Sequence, residues 1–211
     1  GKYQNGLEVI SNGGFVGLKG NNVGVVVNHT SVNSEGKHFI ELAHSSGIEI
    51  GAVFTPEHGF KGVASAGEKV ENGIETLTGA PIYSLYGKTK KPTSEMLEGI
   101  DILVFDMQDI GVRYYTYLST LTLAMEAAVE NGIPFMVLDR VNPLGTDVAG
   151  LILEMEFSSF VGMHPIPVRH GMTLGELAQM INREGWLTNG VIADLKVIPY
   201  KGKIDEKVRA R

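Results

Sequence analysis

Val23-Gly24-Val25-Val26-Val27, then His38 to Ser46 with apolar Phe39, Ile40, Leu42 and Ala43, then Ile48-Glu49-Ile50-Gly51-Ala52-Val53-Phe54 read in order as strand, helix and strand. The two β-branched runs lack the polar alternation of a half-wet strand. Apolar strands joined by a helix suit a parallel sheet covered on both faces. The alternation returns in Asp101-Ile102-Leu103-Val104-Phe105-Asp106, a helix from about Tyr115 to Asn131, and Pro134-Phe135-Met136-Val137-Leu138-Asp139. In that helix Leu118, Leu121, Ala124, Met125 and Ala128 recur at three and four, so one face is buried, and Asn131-Gly132 with Pro134 beyond is a stop signal. Thr173-Leu174-Gly175-Glu176 is a capping box opening a helix through about Arg183, and Asp194 to Ile198 reads as a last strand. The predicted fold class is α/β with a mostly parallel sheet.

Two stretches resist this alternation: roughly 55–80, rich in Gly and Glu, and 140–171, rich in Gly, Pro and Phe. Long irregular segments are usually functional or disordered. With 211 residues, 43% hydrophobic and 20% charged, the chain can bury one substantial core. A net charge of −6 offers no basic stripe for phosphates, which argues against nucleic acid and anionic membrane surfaces as partners. Cysteine is absent, which excludes disulfides, thiolate nucleophiles and cysteine zinc sites and leaves the compartment open. No membrane-spanning run of about 18 apolar residues occurs, and Gly1-Lys2-Tyr3-Gln4 lacks the charged-then-apolar pattern of a signal peptide.

In open α/β sheets ligands bind beyond the carboxyl ends of the strands, so the residues following each apolar run form a candidate rim. They are polar throughout: Asn28-His29-Thr30, Pro56-Glu57-His58-Gly59, Asp106-Met107-Gln108-Asp109, Asp139-Arg140-Val141-Asn142-Pro143, and Arg169-His170-Gly171 from the second irregular stretch. Taken singly, Asp106 or Asp139 has a competing role as a helix cap and His29 as a turn residue. Together they bring carboxylates, amides, imidazoles and arginines to one edge, where burial and mutual charge perturb pKa values. Glu57 stands out as a carboxylic acid in a Pro/Gly-pinned loop directly after a hydrophobic strand, where partial burial suits general-acid work; His58 is a candidate for the same role. The competing reading is an ion pair of Glu57 with Lys61 or Arg113. Tyr83, Tyr86, Tyr114, Tyr115 and Tyr117 suit stacking on sugar faces or packing. Arg113, Arg140 and Arg169 suit bidentate grip of a carboxylate or salt bridges to Asp106, Asp109 or Asp139.

The glycines Gly13-Gly14-Phe15-Val16-Gly17 miss the G-x-G-x-x-G spacing and precede the first strand, no Walker A sequence occurs, and Ser65 lacks a nucleophile-elbow spacing. No cofactor is expected. The histidines lack H-E-x-x-H spacing, which leaves Asp106, Asp139 and His170 as the one metal grouping to consider, and no metal ligand is assigned.

Phe54-Thr55-Pro56-Glu57-His58-Gly59-Phe60-Lys61-Gly62, Ala66-Gly67-Glu68-Lys69-Val70, Pro81-Ile82-Tyr83-Ser84-Leu85-Tyr86-Gly87 and Phe105 to Tyr117, with Leu138-Asp139-Arg140, Asn142-Pro143 and Pro165 to Thr173, resemble the NamZ (YbbC-like) exo-β-N-acetylmuramidases. That family is glycoside hydrolase family 171, formerly a domain of unknown function, DUF1343. The resemblance runs in order from about Gly24 to Pro199. It implies a Rossmann-like three-layer sandwich that removes N-acetylmuramic acid from the non-reducing end of peptidoglycan fragments in cell-wall recycling, outside the cytoplasm. It also implies a smaller C-terminal domain as partner, so residues 1–200 read as the catalytic domain and 201–211 as a charged tail or truncation point. Two turns depart from the family pattern: Asn28 to Asn33 replaces an Asn-Pro-Thr-Gly-like turn, and Val141 stands where proline is commoner. Glycoside cleavage ordinarily takes two carboxyl groups. Glu57 is the expected acid, with Glu68, Asp106 or Asp109 as the second carboxylate. Asn28, His58, Tyr86, Gln108, Arg113, Tyr114, Asp139, Arg140, Asn142, Arg169 and His170 are the expected binders or orienters. A non-catalytic cell-wall sugar-binding module and a metal-dependent hydrolase are the alternatives.

Overall fold

Among the residues described by the computed structural model, 1–56 and 73–209, eight strands form: β1 (Asn22–Val27), β2 (Glu49–Thr55), β3 (Ile82–Ser84), β4 (Ile102–Asp106), β5 (Phe135–Leu138), β6 (Ala149–Ile152), β7 (Pro167–Arg169) and β8 (Leu195–Ile198). Six of them make one sheet in the order β3-β2-β1-β4-β5-β8, every neighbouring pair parallel. The helices are α1 (Gly6–Asn12), α2 (Phe39–Ser45), α3 (Tyr117–Glu130), α4 (Leu174–Glu184) and α5 (Glu206–Arg209). The expected α/β fold and parallel sheet are therefore present.

Side chains alternate across the pleat, and both faces of the sheet are apolar, so the core divides in two. Leu103 and Phe105 of β4 and Phe135 and Val137 of β5 pack with α3 and α4 on one face. Val104 of β4, Met136 of β5 and Val23, Val25 and Val27 of β1 pack with α1 and α2 on the other. This is why the strands show no polar alternation in sequence. None of the described helices is long and apolar enough to cross a membrane.

The second irregular stretch holds a separate antiparallel ribbon, β6 with β7. All four residues of β6 are exposed. The ribbon is tied to the segment after β4: Val112 bridges Arg169, the Arg113 N–H donates to the Val168 carbonyl at 2.8 Å, and the Arg113 Nη1 donates to the carbonyls of Leu151 at 2.8 Å and Ile166 at 2.6 Å. These ties bring the end of β7 over the carboxyl end of β4.

Candidate active site

Strand order reverses between β1 and β4, and doubly wound sheets bind ligands beyond the carboxyl ends of their strands at such a reversal. Asn28 and Asp106 stand there. Asn28 is buried; its Oδ1 accepts from the Thr30 N–H at 2.9 Å and the Thr30 hydroxyl at 2.6 Å, and its Nδ2 donates to the Tyr117 hydroxyl at 2.5 Å. Ser31 donates to the Asp106 carbonyl and Gln108 N–H donates to Thr30 Oγ1 at 2.9 Å, so the turns after β1 and β4 are laced together.

Asp106 is fully buried and takes a bidentate grip from Arg140, Nε to Oδ1 at 2.7 Å and Nη2 to Oδ2 at 3.0 Å. Arg140 also donates through Nη1 and Nη2 to the Val32 carbonyl, both at 3.1 Å. Burial works against the Arg140 charge, but the Asp106 carboxylate more than offsets it and holds the guanidinium above its ordinary range. Asp139 has a different set of partners. Its Oδ1 accepts from the N–H groups of Arg140 and Gly175, both at 3.0 Å, and its Oδ2 from the Thr173 hydroxyl at 2.7 Å. Burial pushes its carboxyl up in spite of those bonds. Asp139 thus joins the end of β5 to the N-terminus of α4.

The loop after β4 is pinned at several points. Gln108 Nε2 donates to the carbonyls of Asp109 and Val141, both at 2.9 Å. Gly111 has φ +87°, and a Cβ there would lie 2.3 Å from Asn142 Oδ1, so glycine is required for the approach. Asn142 in turn donates to the Met172 carbonyl and accepts from the Leu144 N–H, both at 2.9 Å.

Between these pinned turns Asp109 faces His170. The Met172 N–H donates to His170 Nδ1 at 3.2 Å, which assigns the imidazole proton to Nε2, and Nε2 lies 3.6 Å from Asp109 Oδ2. That is beyond hydrogen-bond length. Among the described residues four buried side-chain polar atoms lack a hydrogen-bond partner, and three of them are here: Asp109 Oδ1, Arg169 Nε and His170 Nε2. Native chains leave few such atoms, and a cluster of them marks a place where a bound water, an ion, a ligand or a catalytic task takes up the open hydrogen-bonding capacity.

The three candidate arginines differ in what they retain. Arg140 is consumed by Asp106 and Val32, Arg113 braces the ribbon, and Arg169 donates through Nη2 to the Leu144 carbonyl at 2.6 Å with a looser approach of 3.6 Å to the exposed Asp147. Tyr86 and Tyr114 are exposed, while Tyr117 is buried with its ring 4.6 Å from that of Tyr115. Glu57, His58 and Glu68 lie outside the described residues. Asp106, Asp139 and His170 do not converge, and among the described residues no group of three or more His, Asp or Glu side chains is placed to hold a metal ion. Residues that the sequence did not single out are Ser31, Val32, Thr173 and Met172, whose contributions are a hydroxyl or a backbone group. Of these Thr173 had a signal, its capping box.

Residues 23–208 match the family described as Exo-beta-N-acetylmuramidase NamZ, N-terminal. The Peptidoglycan beta-N-acetylmuramidase NamZ of Bacillus subtilis (strain 168) is 50% identical over 202 residues, 95% of this chain and 48% of that protein. Two crystal structures of DUF1343 family proteins from Bacteroides fragilis NCTC 9343 are also similar. One has a TM-score of 0.88 at 41% identity, covering 99% of this chain and 53% of its own. The other has a TM-score of 0.84 at 38% identity, covering 96% and 53%. The chain thus spans about half the length of the relatives it matches. Sequence pattern, identity along nearly the whole chain and backbone similarity agree, and the chain belongs to the exo-β-N-acetylmuramidase NamZ family, of which it matches the N-terminal part.

Proposed function

We propose that this chain carries the catalytic rim of an exo-acting glycoside hydrolase that releases N-acetylmuramic acid from the non-reducing end of peptidoglycan fragments. The observation that carries the proposal is 50% identity, along 95% of the chain, to a protein named for that activity. The rim after β1, β4, β5 and β7 supports it, because it groups carboxylates, amides, an imidazole and arginines where doubly wound sheets bind ligands. Glu57 is the general acid in this reading. It follows Pro56 immediately after β2, and it would protonate the glycosidic oxygen as the C1–O bond breaks, with the elements of water completing both products.

The same proposal puts the activity outside the cytoplasmic membrane, as the family resemblance implies.

The test is release of N-acetylmuramic acid from a chromogenic N-acetylmuramide by the full-length protein and by Glu57→Gln. Removing a positioned general acid lowers turnover by about 10²–10⁴-fold, and the substitution should leave the unfolding midpoint in place. Turnover unchanged in the variant would remove Glu57 from the role. Binding of the sugar with no product from the unaltered protein would point instead to a non-catalytic module.

A further inference from the structure

We infer that Asp109, backed by His170, is the carboxylate that activates the attacking water. This rests on the muramidase reading above and names the second carboxyl group that such chemistry needs. The assignment comes from what each described rim carboxylate is already doing. Asp106 is fully buried, with both oxygens held by Arg140. Asp139 spends both oxygens on Thr173, Gly175 and the Arg140 N–H. A carboxylate whose two oxygens are both committed to protein donors has its acceptors turned to the protein and not to an incoming water. Asp109 is different: Oδ1 has no hydrogen-bond partner, and the neighbour of Oδ2 is the imidazole of His170, with Nε2 at 3.6 Å.

Exposure completes the picture. The Asp109 side chain keeps 8% of its surface and that of His170 none, and Asp109 Oδ1 is itself buried without a partner, an open acceptor inside the site with the imidazole beside it. The His170 proton is on Nε2, the nitrogen nearer the carboxylate, because the Met172 N–H occupies Nδ1. The loop is held rigidly by Gln108 on one side and by the Gly111–Asn142 approach on the other. This is a pre-set base on pinned elements, with His170 as a positioning residue. In the reaction the water oxygen bonds to C1 as its proton passes to Asp109. The C1–O glycosidic bond breaks with its electron pair going to the leaving oxygen, and that oxygen takes a proton from the general acid.

The experiment is chemical rescue in the full-length protein, with a chromogenic N-acetyl-β-muramide as substrate. Asp109→Ala should lower kcat by about 10²–10⁴-fold, and sodium azide, which needs no base, should restore at least a tenfold part of it. The product should be the α-glycosyl azide, since azide enters from the water's face. Asp109→Asn keeps the shape and should be equally slow with a native unfolding midpoint, so a misfolded Ala variant would not obscure the result. His170→Gln should lower kcat with KM unchanged and gain nothing from azide, because the base is still present. An Asp109→Asn variant that turns over normally would overturn the inference, as would a folded Asp109→Ala variant deaf to azide. Azide rescue of Glu68→Ala in its place would do the same. No product from the unaltered protein would bring down the muramidase reading and this inference with it, which separates that failure from the others.

Discussion

Asp106 and Arg140 form a buried ion pair whose energetic worth lies in being complete. Breaking such a pair by removing one member leaves an uncompensated charge and costs about 3–5 kcal/mol, whereas replacing both members with neutral groups of similar volume is far milder. Arg140→Gln should therefore lower stability by about that amount in urea unfolding, and Asp106→Asn combined with Arg140→Gln should recover a good part of the loss. A double variant as unstable as the sum of the single ones would show that the Val32 carbonyl, which Arg140 also holds, dominates. The sequence already assigned both residues to the rim, since each ends an apolar strand, and a salt bridge stood as the alternative to substrate binding. What it lacked was the means to choose among three arginines. The choice depends on the Val32 carbonyl and on the ribbon that captures Arg113, both far away in the chain. The facing of Asp109 and His170 was illegible for the same reason, because it is made by the ties between 112–113 and β7 and not by any local spacing.

At the scale of elements, β1, β2, β4 and β5 were legible because both faces of the sheet are covered there, which removes polar residues from most of their length, and the edge strand β8, none of whose residues is buried, was legible from its apolar Leu195, Val197 and Ile198. The start of α4 was legible as well, from the reciprocal capping box of Thr173 and Glu176, and the helix runs to Glu184, close to the expected end near Arg183, with Gly185 beyond it at φ +67°. The same helix hides a constraint that its pattern does not show. A Cβ at Gly175 would lie 2.6 Å from Asp139 Cγ and Oδ2 and 2.8 Å from Val197 Cγ1. Alanine is the better helix former by about 1 kcal/mol, but overpacking costs about 1–3 kcal/mol, and here it would also push Asp139 off the Gly175 N–H. Gly175→Ala should destabilise the chain, read as a lower thermal midpoint; a higher one would mean that the contact yields easily. Five elements escaped the sequence reading: α1, β3, β6, β7 and α5. Helix α1 is seven residues long and opens with an Asn5 and Glu8 box, an asparagine standing in for the usual hydroxyl residue. The β6/β7 ribbon has no buried face on β6, so no alternation of apolar and polar residues marked it.

The whole molecule should respond to acid through histidines that the fold keeps neutral. His164 is buried with its ring stacked on Trp186 at 5.2 Å, and burial lowers its pKa to about 4 from the ordinary 6.5. Thr122 Oγ1 donates to the Leu118 carbonyl at 2.9 Å, so the 2.8 Å contact with His164 is donated by the imidazole, which needs the Nε2 proton alone. His38 caps α2, its Nδ1 accepting from the Ile40 N–H at 3.1 Å and its Nε2 contacting the Asn28 carbonyl at 2.8 Å; burial lowers its pKa also. Above pH 6.5 both imidazoles are neutral in folded and unfolded chains alike, and their full contribution is present. As the pH falls toward about 4 the unfolded chain takes up protons that the folded chain refuses, and stability is lost through that window. The His164 shift corresponds to about 3 kcal/mol, which for a chain of this size is on the order of 10 °C in Tm. Asp139 opposes the trend, because burial has raised its carboxyl and makes it the easier group to protonate when folded. The histidine effect should win over most of the window, since it begins at the higher pH. His164→Gln keeps a donor for Thr122 and removes the titration, so its Tm should fall less than that of the unaltered chain between pH 6.5 and 4. Parallel curves for the two would mean that His164 takes up its proton in the folded state at little cost, and the acid sensitivity would then have to come from the His38 cap beside the rim.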